Sequence, residues 1–135
     1  MEDVINLLKD FHFTNAIWVL TIPISLMGID VLTGYLNAWI HHDVKSYRMR
    51  QGLVKKCGEM LVLIIGKLFE WGLGLPTMIM NAISGYIILM ELVSITENLD
   101  AIGVPIPKFF KKGLYKISDK IQNEDLPNTD DKEES

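Results

Sequence analysis

The chain has 135 residues, 49% hydrophobic and 22% charged, with 13 basic side chains against 17 acidic and a formal net charge of −4. That length suits one domain and excludes two substantial ones, and a net acidic chain argues against nucleic acid as a partner. A single cysteine, Cys57, excludes an internal disulfide and a cysteine-based zinc cluster.

In chain order, Val4, Leu7, Leu8 and Phe11 recur at helical spacing and predict an amphipathic helix over 2–12. Glu2 and Asp3 stand where a cleavable signal needs basic residues, so no such signal is expected. From Ala16 to Ile40 the only charge is Asp30, and Trp18 and Trp39 stand near the ends, where interfacial aromatics belong. This predicts a first crossing over about 16–41, with Pro23 tolerated inside it.

The segment 53–72 is apolar but carries Lys55, Lys56, Glu59, Lys67 and Glu70; it is the weakest of three expected crossings. Trp71 to Met90 contains no charge and at helical rise is about 30 Å long, a bilayer core. It opens the third crossing, over 75–98. The prolines of Gly103-Val-Pro-Ile-Pro107 predict an extended break. A basic segment over 105–120 follows, in which Lys108, Lys111, Lys112 and Lys116 are expected to meet lipid headgroups. Residues 121–135 are expected to form a disordered acidic tail. The expected fold is thus an all-α integral membrane protein with three transmembrane helices.

Lysine and arginine cluster in His41–Lys56 and after the third crossing, so both segments are expected in the cytoplasm. Three crossings then put the amino end outside and the carboxyl end inside.

Helical projection aligns the polar residues. Asp30, Thr33, Gly34, Asn37 and His41 share an arc of roughly 100°; Lys56, Glu59, Lys67 and Glu70 fall within about 80°; and Asn81, Ser84, Glu91, Ser94 and Asn98 share a side. An ionised side chain at mid-bilayer costs about 2.5–3.5 kcal/mol on insertion scales, so Asp30, Lys67 and Glu91 need partners, for Lys67 either Glu70 or a carboxylate on a neighbouring helix. A single three-helix unit is expected to leave such stripes partly unsatisfied. They then serve as helix contacts between copies or as a pore lining.

No catalytic constellation, cofactor motif or metal site is found. His41 and His42 point about 100° apart on a helix, unlike ligands at i,i+4.

Several of these residues resemble the toxin-secretion and phage-lysis holins, a family that includes small Bacillus podophage holins and a clostridial toxin-release holin. The resemblance lies in Asp30-Val-Leu-Thr-Gly34 with Ala38 beyond, in Ser46, Gly52, Lys55 and Lys56 of the loop, and in Glu91-Leu-Val-Ser-Ile-Thr-Glu-Asn98 leading into the Gly-Val-Pro-Ile-Pro break and its lysines. It covers Met27 to Phe110 and departs at Glu70, where relatives carry aspartate. It implies a homo-oligomer in the bacterial inner membrane that opens abruptly, releases an endolysin or toxin without needing to touch it, and collapses the membrane potential. Three alternatives stay open: a small transporter or channel component with an intramembrane ion or proton relay, an antiholin, and a soluble helical bundle.

Overall fold

The computed structural model describes residues 16–42 and 46–124. Four helices account for most of them, with no strand among the described residues: α1 (Trp18–Ile40), α2 (Ser46–Leu73), α3 (Thr77–Ala101) and α4 (Lys108–Glu124). The helix expected over 2–12 and the tail beyond Glu124 lie outside the described residues.

α1 runs through Pro23, which is buried. A proline has no N–H, so the Val19 carbonyl four residues back loses its helical donor. Ser84 of α3 replaces it, its hydroxyl donating to the Val19 carbonyl at 2.7 Å. The helix survives its proline because a neighbouring helix supplies the missing hydrogen bond.

α2 begins two turns before the expected residue 53, because Tyr47 to Gln51 favour helix although they lack an apolar pattern. Gly74, at φ +67°, turns the chain and Pro76 starts α3. At Gly66 a methyl group would stand 2.9 Å from the Met80 sulfur; the missing side chain lets α2 lie close on α3. α3 ends in a Schellman turn, in which Gly103 (φ +88°) donates to Asp100 and Val104 to Leu99. Pro105 and Pro107 then keep the chain extended until α4.

Val19 lies beside Ser84, and Asp30 beside Asn98, so α1 and α3 run parallel. Lys56 of α2 meets Asp30 and Glu91, while Gly66 meets Met80, so α2 runs antiparallel to both. Val19, Met27, Leu63, Met80 and Ile87 form the apolar core toward one end of the bundle. α4 packs on the far end of α3 through Leu114 and Ser118.

Two expectations are corrected. Among the described residues two helices, α1 and α3, are long and apolar enough to cross a membrane, not three; α2 has the length, but its five interior charges remove it from that class. Residues 121–124, assigned to the tail, continue α4, because Ile121 prolongs the face of Leu114 and Ser118 at helical spacing.

Candidate functional site

Beside its apolar core the bundle buries polar side chains, and much of its surface is apolar. Leu61, Ile64, Ile65, Leu68 and Phe69 of α2, with Ile29 and Leu32 of α1, are exposed. Asp30, Thr33, Lys67, Ser84, Glu91 and Thr96 are buried. Polar side chains hold the helices together, and apolar ones face outward.

Lys56 is the hub of the polar interior. Its ammonium donates to both carboxylate oxygens of Glu91, stands 3.0 Å from Asp30 Oδ2 and lies 3.6 Å from Glu59 Oε2. Glu91 is 1% exposed as a side chain and Lys56 15%. Asn98 completes the centre, its Nδ2 donating to Asp30 Oδ1 at 3.2 Å and lying 3.4 Å from Thr33 Oγ1. Thr33 in turn donates to the Asp30 backbone carbonyl. Three carboxylates thus surround one ammonium. Glu59 Oε2 is buried and has no hydrogen-bond partner, its distance to Lys56 being ion-pair range only. Asp30, Lys56 and Glu91 each lie about 15 Å of helix from the same end of the bundle.

Gly34 belongs to this centre because a methyl group there would stand 3.5 Å from Asn98 Nδ2. Beyond it, Gly34, Asn37, His41, Gly52, Leu53 and Lys56 line part of a cleft of about 550 Å³, which Asp30 and Ala101 also border. His41 Nδ1 is 2.9 Å from the Asn37 carbonyl. No group of three or more side chains able to hold a metal occurs among the described residues.

A second polar station lies about three turns along α2 from Lys56. Lys67 pairs with Glu70 at 2.6 Å, and its ammonium sits 5.2 Å from the centre of the Trp71 ring. Asn81 Oδ1 is buried without a partner, and Ser94 is half-buried beyond Glu91. Of the lysines read as headgroup contacts, Lys108, Lys112 and Lys116 are exposed, whereas Lys111 is ion-paired with Asp100.

Parts of the three stripes therefore face one another within a single chain, while Glu59 Oε2 and Asn81 Oδ1 are left without hydrogen-bond partners. The parallel course of α1 and α3 brings two stripes to one seam, and α2 turns its own onto it. Thr96, buried and donating to the Leu92 carbonyl, was not singled out from the sequence; a lone threonine on an apolar helix carries no sequence signal of its own.

The model of the bacteriophage holin family matches residues 9–119. The chain belongs to that family. Among relatives, it is 33% identical over 98 residues to a probable holin of Bacillus phage phi105, covering 73% of each chain. It is 28% identical over 131 residues to an uncharacterized 14.9 kDa protein of Clostridium perfringens, covering 89% of this chain and 99% of the relative. It is 32% identical over 101 residues to the uncharacterized protein YqxH of Bacillus subtilis, covering 75% and 72%. No solved structure matches it. The holin match takes in all of α1, α2 and α3, and with them every residue of the ionic centre.

Proposed function

We propose that the chain is a phage holin that inserts in the host inner membrane, self-associates there and opens holes that release endolysin and collapse the membrane potential. The observation that carries this is an apolar exterior around a largely buried ionic centre, in a chain of the holin family. No enzymatic step is needed for that role.

α1 and α3 are the two apolar spans. Because they run parallel, the chain between them must return, and α2 is that return leg. It is carried across with Lys56, Glu59, Lys67 and Glu70 turned inward rather than as an independently apolar span. Lys55, 70% exposed, lies near the basic end, where a long side chain reaches headgroups. The ends of α1 and α3, the start of α2 and the lysines of α4 share one side, which the positive-inside rule makes cytoplasmic.

In this state Asp30, Lys56, Glu91 and Asn98 satisfy one another inside the bundle. Swinging α2 away would expose Asp30, Lys56, Glu91 and Asn98 to water or to other copies. Two packings of one sequence a few kcal/mol apart make such a transition abrupt. The test is induction in a bacterial host while turbidity, membrane potential and release of a co-expressed cytoplasmic muralytic enzyme are followed. Abrupt depolarisation followed by enzyme-dependent lysis is expected, with altered timing in Asp30→Asn and Glu91→Gln. Membrane insertion without depolarisation, the behaviour of an antiholin or a selective transporter, would overturn the reading.

A further inference from the structure

The outer face of α4 is a charged surface that the packing of the bundle does not use. Its inner face is occupied by α3: Leu114 and Ser118 are buried, Lys111 is paired with Asp100, and the Tyr115 hydroxyl donates to Glu97 at 3.1 Å. At 100° per residue Lys108, Lys112 and Lys116 fall within about 80°, with exposed Asp119 among them, outside the arc of Leu114 and Ser118. Phe109 lies about 20° beyond that arc and is 79% exposed. A phenylalanine in that position is no part of the α3–α4 contact, and the lysines around it keep it from being an apolar docking patch for a protein.

The location of α4 adds a second constraint. α3, apolar enough to cross a membrane, ends at Ala101, and α4 begins at Lys108 after a turn and two prolines. So short a connection holds α4 within about 20 Å of the end of the span. Ammonium groups surrounding an exposed ring, held at that depth, complement a leaflet with phosphodiester headgroups above acyl chains.

We propose that the outer face of α4 docks on anionic phospholipid of the cytoplasmic leaflet. Lys108, Lys112 and Lys116 take headgroup phosphates, and Phe109 enters the boundary between headgroups and acyl chains. The proposal rests on the membrane orientation given above and not on hole formation. Docking would also steady the end of α3, since Glu97 and Asp100, which hold α4, flank the Asn98 that holds Asp30.

The test uses the full chain with Cys57→Ser and Gly113→Cys, the latter labelled with an environment-sensitive fluorophore; nothing lies within 4 Å of a side chain at Gly113. It is reconstituted in vesicles of phosphatidylcholine with increasing phosphatidylglycerol. Emission is expected to shift toward the apolar wavelength as phosphatidylglycerol rises and to return in high salt. Each of Lys108→Gln, Lys112→Gln and Lys116→Gln should weaken the docking equilibrium about fivefold, while Phe109→Ser reduces the shift. Emission from an inserted chain that ignores lipid charge and salt overturns the proposal alone. Emission that changes only on removal of residues 125–135 does so too, by assigning the face to the chain's own acidic tail. A chain extracted from the vesicles by alkaline carbonate overturns the membrane orientation as well. Dye release from the same vesicles reports hole formation separately.

Discussion

Ser84 and Pro23 should be energetically coupled although they lie on different helices. The Ser84 hydroxyl is fully buried and donates at 2.7 Å to the carbonyl that Pro23 leaves without a helical donor. Ser84→Ala keeps the volume but orphans that carbonyl where no water replaces the bond, at an expected cost of about 1–3 kcal/mol. Pro23→Ala restores an N–H at the correct position, while removing buried ring methylenes worth about 0.8 kcal/mol each. The cost of Ser84→Ala should therefore shrink by about 1–2 kcal/mol when Pro23→Ala is already present. Helicity followed by circular dichroism during detergent unfolding of the four reconstituted proteins supplies the cycle. If Ser84→Ala costs the same in both backgrounds, Ser84 does not substitute for the missing donor and the explanation of the intact α1 fails.

Lys56→Met leaves Asp30 and Glu91 buried without their cation and should destabilise the bundle by about 3–5 kcal/mol in the same unfolding assay; adding Asp30→Asn and Glu91→Gln should recover most of it, and a triple variant no better than the single would refute the hub. Gly66→Leu should cost about 1–3 kcal/mol by forcing Met80 aside, and a smaller cost in a Met80→Ala background is the check. In α4, burial, the hydrogen bond to Glu97 and the charges of Glu97 and Asp100 hold the Tyr115 phenol above the ordinary 10.0. Because the folded value is the raised one, the contribution of Tyr115 is complete below 10.0 and is lost as pH rises through the folded value. The difference in ultraviolet titration between the chain and Tyr115→Phe should accordingly show its phenol ionising above 10.0, and ionisation below that value would contradict the contact.

What was legible in the sequence is what helical periodicity and local turn chemistry decide. The stripes of Asp30 and Asn37, of Lys56 and Glu59, and of Ser84 and Glu91 follow from a fixed angle per residue, and the pairing of Lys67 with Glu70 from adjacent turns of one helix. Gly103 with its two prolines marks the end of α3 for equally local reasons. The partner of each stripe was not legible. Residues 65 positions apart, such as Val19 and Ser84, meet only because α2 returns antiparallel and lays α3 parallel to α1. The segment of α2 was expected to cross as well, but its charges keep it out of the class of α1 and α3, and only the packing shows Lys56 set against Asp30 and Glu91. Whether a stripe faces lipid, water, a second copy or its own chain depends on how whole helices are set against one another. A local pattern, repeated identically in every arrangement of those helices, does not carry that information; the tertiary packing alone brought Asp30, Glu59 and Glu91 from three helices onto one ammonium.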